Sequence, residues 1–597
     1  MREFSVPPIV TVGDAANLTD PVWDNAEAAP DAVQFVRPGP DGGREDVTCR
    51  QFRDEVVAVA RGLVAAGVNP GDRVALMSRT RYEWTLVDYA IWAAGAVTVP
   101  IYETSSAEQA AWILADSGAV AVVVETTAHA TLVAGIRERL PELRDVWQIE
   151  LGAVGELVTA GEAVDPAEIE VRRKQVRAAD IATIIYTSGT TGRPKGCVLT
   201  HRNMYADVAN AVPVLPNLFG PGASTLLFLP LAHSFARLIQ VGVVQARATM
   251  MHCADTKNLV AELQDFRPTF VLSVPRVFEK VYNGARQKAE AAGKGKIFDR
   301  AEAVAVAYSE ALETSAGPGL GLRAQHALFD KLVYRKLRAA LGGRCQDAIS
   351  GGAPLGARLG HFFRGVGVTI CEGYGLTETS PAAAANLPTA TRIGTVGRPL
   401  PGVTVRIADD GEILIAGDLV FQGYWNNEAA TAEALDGGWF RTGDLGRLDD
   451  DGYLSITGRK KEIIVTAGGK NVAPAVLEDQ VRAHPLVSQC LVVGDRQPFV
   501  AALVTIDEEA LPDWLAAQGR TGATVAELRE DEALRAEIQR AIDRANESVS
   551  KAEAIKVFRV LPRDFTEATG ELTPSMKVKR QVVHETYAAE IAEIYRG

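Results

Sequence analysis

The sequence predicts an α/β protein with a large N-terminal unit on mainly parallel sheets, a small β-rich stretch, and a smaller α/β unit at the C-terminus. Three observations carry this. Apolar runs of helical and strand period alternate through the first 130 residues, the pattern of βαβ units. A β-branched run, "IATIIYT" (181–187), feeds a loop crowded with Gly, Ser and Thr. Beyond residue 390 short strands and Asp-Gly turns take over, and after "GRKKE" (458–462) helix and strand patterns resume.

Taken in order, "VVAVARGLVAAGV" (56–68) has helical period and "DRVALMS" (72–78) reads as a short strand. "WTLVDYAIWAAGAV" (84–97) is helical and "VTVPIY" (97–102) is a strand. "SAEQAAWILADSGA" (106–119) is a helix with Ser and Glu placed as a capping box, followed by the strand "VAVVVE" (120–125). From about 281 to 344 the chain is rich in Ala, Lys, Arg and Glu, with a break at Gly317–Gly319, and reads as a helical insertion. The stretch from about 391 to 458, with "GTVGRPLPGVTVRIADDGEILIAG" and "DDDGYLSITGR", reads as the β-rich subdomain. The expected division is therefore 1–458, a junction at 459–461, and 462–597.

The bulk composition sets limits. With 62 Lys and Arg against 75 Asp and Glu, the net charge of −13 argues against a general nucleic-acid binder, though a local basic pocket for an anion is allowed. The six cysteines form no CxxC pair, which leaves zinc and redox readings weak and suggests reduced, buried thiols in a cytoplasmic protein. "MREFSVPPIVTVGD" lacks the apolar core of a signal peptide, and the best apolar run, 84–101, is broken by Asp88. Nothing here speaks to oligomeric state.

The loop "IIYTSGTTGRPKG" (184–196) invites comparison with a nucleotide loop. Counted from Gly189, the second glycine of G-x-x-x-x-G-K-[ST] is replaced by Pro194, Lys195 follows, and the Ser/Thr that would hold Mg²⁺ is Gly196. G-x-G-x-x-G fails as well. The chemistry still suits phosphate: small residues let backbone N–H groups converge on an anion, Thr187, Ser188, Thr190 and Thr191 add hydroxyls, and Lys195 adds charge. The rival reading is an ordinary Gly/Thr surface turn. Further along, "AISGGAPLG" (348–356) is a strand-to-loop turn that lets a flat ligand approach the backbone. In "YGLTETSP" (374–381) Tyr374 is able to stack on a base, Thr377 to bond a phosphate oxygen, and Glu378 to serve as a hard oxygen ligand for Mg²⁺.

These strings resemble the adenylate-forming (AMP-binding) superfamily, which includes acyl-CoA synthetases, luciferases and peptide-synthetase adenylation domains. "YTSGTTGRPKG", "YGLTETSP", "RTGDLG" (441–446) and "GRKKEIIVTAGGKN" (458–471) follow in that family's order, and the resemblance spans almost the whole chain. It implies that Thr187, Ser188, Gly189, Thr190, Thr191, Gly192 and Lys195 hold the β- and γ-phosphates. Gly351, Gly352, Ala353 and Pro354 would hold adenine, Tyr374 would pack on it, and Glu372, Gly373 and Gly375 would belong to the nucleotide site. Thr377 would bind the α-phosphate, Glu378 would carry Mg²⁺, Asp444 would accept from the ribose hydroxyls, and Arg459 would also contact the nucleotide. Lys461 would be the hinge about which a mobile C-terminal domain swings between two half-reactions. Gly468, Gly469 and Lys470 would turn toward the cleft for the CoA step. Lys577 in "GELTPSMKVKR" (570–580) would be the catalytic lysine, with Lys579 as the fallback. His233 in "FLPLAHSFARLIQ" (228–240) would lie in the acyl pocket. Arg237 stands where some long-chain relatives carry an aromatic gate, a departure from that pattern. Arg276 in "SVPRVFEK" is a further candidate for the nucleotide pocket.

The implied activity is that of a long-chain fatty acyl-CoA synthetase with ATP, CoA and a fatty acid as substrates. The length, the helical insertion, and the strings "LPLAHSFAR", "TAGGKNVAP" and "LTPSMKVKR" resemble the long-chain and bubblegum-type branch. A fatty acyl-AMP ligase serving a carrier protein and an inactive nucleotide-binding scaffold are the competing readings. The presence of Glu378, Asp444, Arg459 and Lys577 counts against the scaffold. A lipid-soluble substrate makes peripheral membrane contact plausible, although no amphipathic basic helix stands out in the sequence.

Overall fold

Two mainly parallel sheets organise the N-terminal part of the computed structural model, which describes residues 1–39, 41–187, 193–573 and 576–596. In one, strand Ile181–Thr187 lies beside Val97–Ile101, then Arg73–Met77, Ala119–Val124 and Asp145–Gln148, all parallel. Strand Lys195–Thr200 folds back antiparallel onto Ile181–Thr187. The other sheet runs Thr369–Tyr374, Asp347–Ser350, Phe270–Ser273, Ser224–Leu227, Thr249–His252 and Val33–Pro38, again parallel, with short antiparallel strands at both edges. The Val/Ile content follows from burial on both faces: all six residues of "AVAVVV" in Ala119–Val124 are buried.

Local capping sets the helix starts. The helix read from residue 56 begins earlier, at Cys49, because Thr48 and Gln51 form a capping box. In the helix Ala107–Ser117 the cap is Ser106, and its partner is Gln109 rather than the glutamate expected from the sequence. Arg237 departs from any gate. It is fully buried and pairs with Asp88 (2.6 Å) and Thr183 (2.6 Å), with Trp84 and Trp92 against its guanidinium.

A six-stranded antiparallel sheet follows, built from Thr404–Ile407, Glu412–Ala416, Leu435–Asp436, Trp439–Leu448 and Leu454–Arg459. Its edge is Glu3–Ser5 from the N-terminus, a strand the sequence pattern does not announce. Residues 464–594 hold cores of their own around a three-stranded sheet, Val487–Val493, Val500–Ile506 and Ile555–Val560. All six cysteines are buried and unpaired. Among the described residues, no helix is long and apolar enough to cross a membrane.

Candidate functional site

The C-terminal ends of the parallel strands open onto one cavity of about 1370 Å³, the position where open α/β sheets place ligands. Its polar arm is lined by Gly351, Gly352, Ala353 and Pro354, by Glu372, Gly373, Tyr374 and Gly375, and by Thr377, Glu378, Asp444 and Arg459. Thr187 and Lys195 also line it, while Ser188, Gly189, Thr190, Thr191 and Gly192 lie outside the described residues. Gly375 has a steric reason to be glycine: a Cβ there would sit 1.7 Å from the Pro381 carbonyl oxygen. Gly352 turns with φ +82°, a left-handed conformation that favours glycine.

Asp444 is held from two sides. The Tyr374 hydroxyl donates to its Oδ2 (2.7 Å), and Arg459 Nε lies 3.1 Å from its Oδ1. Burial raises its pKa, with Arg459 and Tyr374 acting in the opposite direction. Burial disfavours the Arg459 charge, but Asp444 and Glu462 outweigh it and the pKa ends raised. Glu378 accepts the Tyr424 hydroxyl at 2.7 Å, and Lys195 Nζ sits 5.1 Å from the centre of the same tyrosine ring. The Thr377 hydroxyl lies 3.2 Å from the Ser234 hydroxyl. Burial pushes the Glu372 carboxyl up to about 7, only partly opposed by the Leu355 N–H that donates to it.

Lys577 reaches this cavity from the C-terminal unit. Its accessible surface faces the cavity, and the protein around it lowers its pKa, through burial first and Arg459 second, against the pull of Asp444 and Glu378. Lys579 is not among the lining residues; its backbone N–H donates to the Glu571 carbonyl (2.7 Å). Lys461 sits at the rim, 3.9 Å from Glu433, and neighbouring Lys460 pairs with Asp410 (2.6 Å) and Glu412 (3.2 Å). The structure does not bring Gly468, Gly469 and Lys470 to the cavity. They form the turn between Ile464–Val465 and Asn471–Val472, and Lys470 pairs with Glu553 (3.5 Å). Arg276 also lies elsewhere than expected. It spans the two units, pairing with Asp507 (2.8 Å) and donating to the Ser488 carbonyl (3.2 Å), because its helix, Pro275–Ala291, faces the C-terminal sheet.

The second arm is apolar. Helix Ser234–Ala246 starts beside Thr377 and carries Leu238, Ile239 and Gly242 along the arm, about 12 Å of helix from Ser234 to Gly242. Val208 and Ala211 of helix His201–Ala211, with Val212, Leu215 and Phe219, line it as well. His233 stands at the junction. Its Nδ1 accepts the Phe235 N–H (3.2 Å) and caps the helix, so the neutral ring carries its proton on Nε2. Burial, then the Lys577 charge, hold the ring neutral with a pKa of about 3.

Two residues of the site, and one that supports it from behind, escape sequence reasoning. Tyr424 holds Glu378, Ser234 meets Thr377, and Asp207 accepts the Ala382 N–H (3.0 Å) just after the "TETS" turn. The aromatic in "GYW" was the one available signal for Tyr424. Asp207 and Ser234 sit in helical runs where nothing local marks them.

A mainly parallel α/β body whose strand ends meet a lysine from a separate C-terminal unit defines a two-unit enzyme architecture. The AMP-binding enzyme family matches residues 22–425, and the AMP-binding enzyme C-terminal domain matches residues 461–597. The chain belongs to this family. It is 56% identical to the long-chain-fatty-acid--CoA ligase FadD15 of Mycobacterium tuberculosis, covering all of both chains. An anthranilate CoA ligase solved with anthranoyl-AMP superposes with a TM-score of 0.71 at 21% identity, over 97% of this chain and 99% of that one. A Mycobacterium tuberculosis fatty acyl CoA synthetase gives a TM-score of 0.61 at 23% identity, over 96% and 99%.

Proposed function

We infer that the chain is a long-chain fatty acyl-CoA synthetase. A fatty-acid carboxylate oxygen attacks the α-phosphorus of ATP, the bond to the bridging oxygen breaks, and pyrophosphate leaves with the electron pair. The CoA sulfur then attacks the acyl carbon of the adenylate and AMP departs. The observation that carries this reading is the single cavity in which an apolar arm meets Thr377, Glu378, Asp444, Arg459 and Lys577.

Each residue has a task that its setting suits. The apolar arm buries the acyl chain, and burial of each methylene is worth about 0.8 kcal/mol. His233, neutral and protonated on Nε2, donates to the carboxylate without acting as a base. The adenine lies along 351–354 and 372–375, and Asp444 accepts from the ribose hydroxyls. The loop 187–196 holds the phosphates that will leave. Lys577 stands between the two anions that must meet, where a preorganised cation offsets their repulsion. A single carboxylate, Glu378, beside the Thr377 hydroxyl fits Mg²⁺, which takes one or two carboxylates together with substrate phosphates. When bound, the ion supplies positive charge to the phosphate oxygens.

With Lys577 in the cavity and the 468–470 turn outside it, the arrangement suits the first half-reaction. For the second, the C-terminal unit turns about Lys461, Lys577 withdraws, and the 468–470 turn approaches the CoA thiol. A cytoplasmic location accompanies this reading, on the strength of the cysteine usage.

The test is AMP formation from ATP with saturated acids of graded length, with and without CoA. Thioester with long acids is the expected product. Pyrophosphate release without thioester would replace the CoA reading with a carrier-protein ligase, and no turnover with any acid would replace it with a scaffold.

A further inference from the structure

The helical insertion ends in one run of helix, Leu320–Phe329, a π turn over Asp330–Tyr334, and Arg335–Ala340. Its inner side is a normal core face. Phe329, Tyr334 and Leu337 are buried among Phe298, Ala301 and Phe363, and the Tyr334 hydroxyl donates to the Ala301 carbonyl (2.7 Å). Its outer side is apolar too. Leu320, Leu328 and Leu332 are 86%, 56% and 50% exposed, and with exposed Ala324 they repeat every four residues, one line along a helix. A continuous line of uncovered leucines, distinct from the single exposed Ile297 and Leu312 elsewhere in the insertion, marks an interaction surface.

The charge around this line is as unusual as the line itself. Residues 314–344 contain six Arg and Lys and a single Asp in a chain whose net charge is −13. That one acid, Asp330, is already engaged by Arg335 (3.1 Å) and Arg338 (2.7 Å). Lys331 and Lys336 are exposed and form no ion pair among the described residues. The uncovered face is thus leucine flanked by free ammonium groups. Two copies meeting symmetrically through it would bring Lys331 and Lys336 against their own kind. A surface both apolar and negative matches it on both counts.

We propose that the outer face of Leu320–Ala340 docks on an anionic lipid bilayer, with Leu320, Leu328 and Leu332 entering the headgroup–acyl boundary and Lys331 and Lys336 on the lipid charge. The proposal stands on this surface alone. Under the function inferred above, it would hold the enzyme where a lipid-soluble acid is concentrated.

The experiment is flotation of the full chain with 100-nm vesicles of neutral phosphatidylcholine, or of phosphatidylcholine with 30% phosphatidylglycerol, at low and high salt. The expected result is binding to the anionic vesicles that weakens with salt, with little binding to neutral ones. A cation at an anionic surface is worth roughly a factor of five in partitioning, so Lys331→Ala with Lys336→Ala should weaken binding about 25-fold. Leu328→Ser with Leu332→Ser should weaken it independently, while CoA-ligase activity on detergent-dispersed acid stays unchanged in both pairs. Failure to bind anionic vesicles, or equal binding by wild type and both double variants, would overturn the proposal. So would a dimer in light scattering that Leu328→Ser with Leu332→Ser dissociates, since the occupant would then be a second copy.

Discussion

Replacing Lys577 with alanine is the sharpest perturbation of the inferred chemistry. Six Lys and Arg side chains line the cavity among the described residues: Lys195, Arg441, Arg459, Lys460, Lys461 and Lys577. Four are already within 4 Å of a carboxylate: Arg441 with Glu412 (3.0 Å), Arg459 with Asp444 (3.1 Å), Lys460 with Asp410 (2.6 Å) and Lys461 with Glu433 (3.9 Å). Lys195 faces the Tyr424 ring. Lys577 is the one of the six supplied by the C-terminal unit, and among the described residues no carboxylate lies within 4 Å of it. Loss of one preorganised transition-state donor costs about 10²–10³ in rate, or roughly 2.7–4 kcal/mol. A full charge with little compensation belongs at the upper end, so adenylation should fall about 1,000-fold. The assay is single-turnover pyrophosphate release with hexadecanoate, run beside thioester formation from preformed hexadecanoyl-AMP and CoA. The second reaction should proceed at nearly the wild-type rate if, as proposed, the C-terminal unit turns and withdraws Lys577 before it. Stability supplies a control: the lowered pKa means that folding opposes the charge on Lys577, so the variant should melt no lower than wild type. Adenylation within tenfold of wild type, or an equal loss in both half-reactions, would refute the reasoning.

Gly242→Leu should shorten the accepted acid: even a Cβ at 242 meets the Phe219 ring at 2.9 Å, and excluding about three methylenes at ~0.8 kcal/mol each lowers kcat/KM for hexadecanoate roughly 50-fold relative to octanoate. Arg276→Ala removes the partly exposed tie to Asp507, worth at most about 1 kcal/mol, and should slow adenylation up to about fivefold while sparing the thioester step. Equal slowing of both steps would show that Arg276 does not bias the position of the C-terminal unit. His201 is enclosed and held down to about 3 by burial, so below its unfolded value of about 6.5 only the unfolded chain takes up its proton. Stability should therefore fall as pH drops from 6.5 toward 3, by about 1.4 kcal/mol per pH unit from this group. Urea unfolding of His201→Gln at pH 6.5, 5.5 and 4.5 should show a shallower decline than wild type.

Much of the site was legible because the chemistry of its parts is local. A β-branched strand, a glycine turn and a carboxylate beside hydroxyls are properties of short segments, and their order along the chain identified the family. The parallel sheets were legible for the same reason, since doubly buried strands read as continuous Val/Ile runs. Tertiary structure decided which distant segments meet. Arg276 looked like a nucleotide ligand until its helix was seen to face Asp507, 231 positions away. Tyr424 gained its role from Glu378, 46 positions earlier. The terminal motif already favoured Lys577 over Lys579, and the packing of the C-terminal unit turns Lys577, not Lys579, into the cavity. The leucine line at 320–332 was hidden for a simpler reason. A helix apolar on both faces has the sequence pattern of a buried one, and only the packing around it shows that one face has no protein over it.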